Sequence, residues 1–152
     1  MVRGRPFYNS FIIPDQEQRP IVPSGSGTGG KMQVLIVQSS HELGLLWKRH
    51  IEWQRYEVAL VHGQMEATEF LREREVQVMI LDLVLSEGSA LAVADFASYR
   101  WPGARVIFVT NTTFFSDGSI FNHASNACAF LQSETPPEDL AAMVAYHGAA
   151  SR

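Results

Sequence analysis

Asp82 is the residue whose setting most suggests chemistry. It interrupts the run Val78-Met79-Ile80-Leu81-Asp82-Leu83-Val84-Leu85. A carboxylate inside so apolar a stretch is costly unless a crevice, a partner or water takes up its charge. Placed at a strand end, such a group can serve as a nucleophile or a cation ligand, or it can simply cap the next turn. The other candidate groups are scattered. Histidines 41, 50, 62, 123 and 147 show no metal-ligand spacing along the chain, and His50 and His147 fall on expected helices as packing or surface residues. Cys128 is the single cysteine, so it forms no internal disulfide and cannot anchor a zinc finger alone. No Ser-His-Asp or Cys-His arrangement follows from residue order.

Two N-terminal motifs resemble ligand-binding loops but lack the context. Gly25-Ser26-Gly27-Thr28-Gly29-Gly30-Lys31 matches seven positions of a phosphate-binding loop, yet Met32 stands where a Mg²⁺-binding hydroxyl is needed. The glycines also precede the first strand, whereas a phosphate loop links a strand to a helix N-terminus. Arg3-Gly4-Arg5-Pro6 equals the core of a minor-groove hook, but Phe7 and Tyr8 replace the usual basic flank. Residues 1–31 carry a net +2 of the chain's −4, which leaves an acidic body. Nucleic-acid binding would therefore have to reside in this arm.

Those residues need a frame, and the chain of 152 residues is long enough for one domain. Prolines and the Ser24–Gly30 run mark residues 1–31 as a flexible arm, native or added, in which Phe7 and Phe11 are apolar enough to dock on a partner. Residues 32–147 form the expected domain, and 148–152 a tail. Short apolar runs alternate with helix-period stretches: strands at Val34–Val37, Tyr56–Val61, Val78–Leu81, Val106–Val109 and Cys128–Leu131, helices at His41–Trp53, Gln64–Arg74, Ser89–Tyr99 and Pro137–Tyr146, with a weak one in 111–126. The pattern predicts an α/β fold, a flavodoxin-like (βα)5 three-layer sandwich with a parallel sheet of order 2-1-3-4-5. Its crevice would open at the strand C-termini, where Gln38, Ser39, Asp82, Thr110 and Ser133 fall. No apolar run is long enough to span a bilayer and no secretory leader is evident, so a cytoplasmic protein without membrane contact is expected. An FMN site is not expected, because no hydroxyl-rich cradle follows the first strand.

Three segments resemble the receiver domain of response regulators (CheY-like) over about residues 32–147. Leu81-Asp82-Leu83-Val84-Leu85-Ser86-Glu87-Gly88 parallels the phosphoacceptor stretch, Val106–Thr110 the fourth strand with its terminal hydroxyl, and Ala129–Glu134 followed by Pro137–Leu140 the fifth strand and last helix. The resemblance implies that Asp82 stands at the phosphoacceptor position, with Thr110 and Phe130 at switch positions. It also implies a departure. The acidic pair that holds Mg²⁺ is replaced by Gln38 and Ser39, the lysine by Ser133, and the prolines by Ser86 and Glu134. Phosphoryl transfer to a carboxylate needs a hard cation on oxygen ligands and donors for the moving phosphoryl group.

The implied member is atypical: not an enzyme, with Asp82 vestigial and phosphorylation impaired or absent. No metal or other cofactor is expected. It would act in two-component or phosphorelay signalling by binding a protein partner (a histidine kinase, a phosphotransferase, another regulator) or as a homodimer. Phe114, Phe115 and Phe121 are placed by the resemblance on the signalling face, as adaptable docking residues or as core. Two alternatives stay open: a working phosphoacceptor using Asp82, Thr110 and Mg²⁺, and a DNA-associated adaptor using the arm. No output domain follows Tyr146, so direct transcriptional action is not expected.

Overall fold

The protein is described by a computed structural model covering residues 32–111 and 125–150. The arm with Phe7 and Phe11, and the stretch with Phe114, Phe115 and Phe121, lie outside the described residues. From Gln33 onward the elements run β1 (Gln33–Val37), α1 (His41–Glu52), β2 (Glu57–Val61), α2 (Gln64–Glu73), β3 (Val78–Asp82), α3 (Ala90–Arg100), β4 (Arg105–Thr110), β5 (Ala127–Gln132) and α4 (Pro137–Ala150). Each expected strand is present within two residues of its forecast bounds. The last helix runs past 147 to Ala150, into the expected tail of 148–152.

The five strands form one parallel sheet in the order β2-β1-β3-β4-β5, the topology expected from the strand–helix alternation. Helices α2 and α3 pack on each other, as do α1 and α4, so the pairs cover opposite faces. That double cover explains the continuous apolar strands: β1 is buried along its whole length, as are β3 as far as Leu81 and β4 from Val106. Against α2 and α3 lie Leu35, Val37, Met79, Leu81, Val106 and Phe108, filled in by Ala67, Leu71, Val93 and Ala97. The alternate strand residues, Val34, Ile36, Ile80 and Ile107 among them, are as fully buried, and Trp47 and Ile51 of α1 with Leu140 and Val144 of α4 are the buried side chains of the other helix pair. Burying one side chain of that size contributes ~1.5–3 kcal/mol.

Local chemistry sets the helix starts. Ser40 caps α1 through its hydroxyl, which accepts the Leu43 amide, and Ser89 does the same for α3 with Ala92. Pro137 occupies the first position of α4, where its missing N–H costs nothing. Gly88 holds φ +86°, and a Cβ there would lie 2.2 Å from that of Gln64, so the turn before α3 needs glycine on two counts. One irregularity breaks the ladders: Val106 faces Ala127 but Ile107 faces Ala129, which makes Cys128 the extra residue of a bulge.

Candidate functional site

Asp82 ends β3 at the crevice, half-buried, next to Val109 of β4 in register. Its Oδ1 accepts the backbone N–H of Val84 at 2.9 Å, the turn-capping role that the sequence left open. Burial pushes the Asp82 carboxyl above the ordinary carboxylate value, opposed by the Val84 amide and then by the Gln38 carboxamide. Gln38 is itself almost fully buried, at 2% exposure. Its Oε1 accepts the Ser40 amide at 2.9 Å, while Nε2 makes no fully formed hydrogen bond, although it is close enough to Asp82 to favour the charged form. The side chain therefore directs its acceptor to the backbone rather than to a ligand beside Asp82.

Ser39 is engaged on every side. Its hydroxyl donates to the His62 carbonyl at 2.9 Å and accepts from the Ser86 amide at 2.8 Å, with the Ser86 hydroxyl 3.1 Å away. One oxygen thus ties the turns after β1, β2 and β3. Glu87 extends the tie: its backbone carbonyl accepts the Gln64 amide and its Oε1 the Met65 amide, while Gln64 Oε1 accepts the Ser89 amide. These interactions were not legible from spacing, because Ser39 and Ser86 are 47 positions apart.

On the other side of Asp82, Thr110 is fully buried at the end of β4, and its carbonyl accepts the Ser133 amide at 2.8 Å. Ser133 stands half-buried in the turn after β5, and Phe130 is half-buried against the α2–α3 side of the core. Gln38, Asp82, Thr110 and Ser133 thus come to one edge of the sheet. Among the described residues no group of three His, Cys, Asp or Glu side chains converges as a metal site.

Two histidines distant in sequence do meet: the adjacency of β1 and β2 brings His41 Nδ1 within 3.1 Å of His62 Nε2. His50, in contrast, lies 3.1 Å from its own helix's Leu46 carbonyl, and His147 is buried. Burial lowers the His147 pKa, with Arg105 adding to the effect; burial raises that of the Cys128 thiol, against Arg105. Cys128 and Arg105 lie at the strand ends opposite the crevice, and His147 lies on α4.

No protein-family model matches the sequence, and no curated protein matches it. Solved structures do. A signal receiver domain from Vibrio parahaemolyticus superposes with a TM-score of 0.72 at 24% identity, covering 80% of this chain and 92% of that one. A CheY-like receiver domain protein from Methanospirillum hungatei gives 0.74 at 18% identity, with 80% and 97% covered. The chain has the fold of a response-regulator receiver domain. A third receiver-fold structure, a response regulator from Burkholderia pseudomallei, was solved with a phosphorylated aspartic acid and a calcium ion; it matches with a TM-score of 0.66 at 18% identity, covering 80% and 75%.

Within the receiver fold of this chain, the donors beside Asp82 do not suit Mg²⁺. That ion takes about six oxygen ligands and sheds its waters reluctantly. Gln38 has its oxygen committed to the Ser40 amide and Ser39 has its oxygen committed to two backbone groups. Among the described residues no helix is long and apolar enough to cross a membrane.

Proposed function

We propose that this chain is an atypical receiver-fold signalling module that works by binding other proteins, with phosphorylation at Asp82 impaired or absent. The observation that carries the reading is the use made of Gln38 and Ser39: both positions beside the carboxylate are spent on hydrogen bonds that hold turns together. Asp82 is left as a half-buried carboxylate whose charged form is disfavoured by burial. Ser133 supplies no positive charge for a phosphoryl group. On this reading the chain has no catalytic turnover of its own, needs no cofactor, and acts through a protein partner (a kinase, a phosphotransferase or another regulator) or a second copy.

Beryllofluoride with Mg²⁺ mimics an acyl phosphate and tests the point directly. The expected result is no saturable change in the amide spectrum at millimolar beryllofluoride. Saturable binding that Asp82→Asn abolishes would establish the phosphoacceptor alternative, which the phosphorylated aspartate of the Burkholderia structure keeps in view. Transfer of the adaptor reading to DNA rests on residues 1–31 alone, and any DNA affinity that survives their deletion counts against it.

A further inference from the structure

The turns after β1 and β2 place two imidazoles edge to edge at the rim of the crevice. His41 opens α1 and His62 follows β2; Nδ1 of the first and Nε2 of the second are 3.1 Å apart, with ring centroids 5.3 Å apart and planes inclined by 38°. We propose that His41 and His62 together chelate a borderline divalent transition ion of the Zn²⁺ or Cu²⁺ class. The proposal goes beyond the signalling reading and uses neither Asp82 nor Gln38.

The separation fits a shared ion. Two nitrogens, each about 2.05 Å from one metal, lie ~2.9 Å apart at the right angle of a square-planar site and ~3.3 Å apart at the tetrahedral angle. The observed distance falls between them; on binding, the proton that His41 Nδ1 donates to His62 Nε2 moves to His41 Nε2, and the two rings turn so that both freed lone pairs meet at the ion. Glu66 sets up the rings. Its Oε1 accepts the His62 backbone N–H at 2.8 Å and lies 3.5 Å from His62 Nδ1. A carboxylate at that distance favours the tautomer with the ring proton on Nδ1, which would turn the Nε2 lone pair to His41 in the manner of outer-shell groups that orient metal-binding imidazoles. The Ser39 hydroxyl, bonded to the His62 carbonyl, fixes the turn that carries the ring.

Electrostatics agree. Segments 38–47, 62–71, 82–91 and 132–136 hold Glu42, Glu66, Glu69, Asp82, Glu87 and Glu134 and no lysine or arginine, with Lys48 and Arg72 just beyond them along α1 and α2. The positive N-terminus of α1 opposes a cation, and the first-turn acids Glu42 and Glu66 answer it. No third His, Cys, Asp or Glu converges among the described residues, so water completes the shell, and both rings are open to it. The ion would join the α1 start to the turn before α2. A hard ion such as Mg²⁺ is not favoured by two nitrogen donors.

Isothermal titration of the full chain with ZnCl₂, and separately CuSO₄, tests the site, with imidazole Hε1 resonances followed by NMR during the Zn²⁺ titration. One ion per chain is expected, with the His41 and His62 resonances moving together. His41→Asn or His62→Asn should abolish this event, Glu66→Gln should weaken it about tenfold, and His50→Asn should leave it intact. Both rings sit at the surface, and far-UV dichroism of the variants checks that the fold is kept. No binding, or binding that the His41→Asn/His62→Asn double variant retains unchanged, overturns the proposal and leaves the pair as a proton-shared hydrogen bond.

Discussion

Two neighbouring parts of the same sheet edge use their polar groups in opposite ways. Around Asp82 the polar atoms are turned to the protein itself: buried Gln38 and half-buried Ser39 bind backbone groups, and the half-buried carboxylate accepts an amide two residues on. At the rim, His41 and His62 are open to water, and their nitrogens face each other rather than the backbone. A half-buried carboxylate with an amide nitrogen beside it is a poor oxygen cage. Two apposed imidazoles oriented by a glutamate make a ready nitrogen clamp. The contrast shows that what an edge can bind depends less on how many polar residues it has than on which of their atoms are left uncommitted.

The hardest test of that contrast is to rebuild the inward side. A triple variant, Gln38→Asp, Ser39→Asp and Ser133→Lys, restores oxygen donors and a cation around Asp82. Acetyl phosphate should then label Asp82 at least ~100-fold faster in Mg²⁺ than it labels the parent, because one well-placed donor to a transition state is worth that much. Equal rates would show that the parent site is already competent. A smaller effect is expected from Ser39→Ala, which removes the oxygen shared by three turns. Loss of the Ser86 and His62 bonds should cost about 1 kcal/mol and lower the thermal midpoint by ~2–4 °C, whereas an unchanged midpoint would mean that water replaces the hydroxyl fully.

The smallest expected effect has the opposite sign. Asn at position 82 keeps an Oδ1 for the Val84 amide and removes the half-buried charge. Because burial raises the folded-state pKa, the neutral carboxyl is the form the fold prefers; its contribution is complete below the unfolded value and lost as pH rises through the folded one. Asp82→Asn should therefore raise the midpoint at pH 7 by about 1–2 °C and have no effect near pH 3. A lower midpoint at pH 7 would reveal a favourable partner for the charge and weaken the case for an isolated carboxylate.

Much of this architecture could be read from residue order. Val34–Val37, Val78–Leu81 and Val106–Val109 are buried on both faces, and continuous apolar runs of that length between helix-period stretches have few other solutions. Asp82 stood out because nothing else in its run is polar. The His41–His62 pair did not, since linear spacing finds ligands on one helix or one turn, whereas these meet only because β1 and β2 are neighbours. The Ser39 hub was hidden for the same reason: a serine's partners are set by which turns the sheet brings together. That Gln38 directs its acceptor away from Asp82 depends on a rotamer, which residue identity does not encode.

The bulge at Cys128 carries a consequence for anyone counting along the last strand. Up to Ala127 its residues pair with β4 in one frame, and from Ala129 they pair in another, advanced by one position. A numbering carried forward without a gap from the strand's start would therefore misplace Phe130 and Ser133 by one. The surplus is absorbed well before the crevice, so Thr110 still meets Gln132 and the Ser133 amide still reaches the Thr110 carbonyl. The extra residue thus sits at the far end of the strand while the crevice end stays in step.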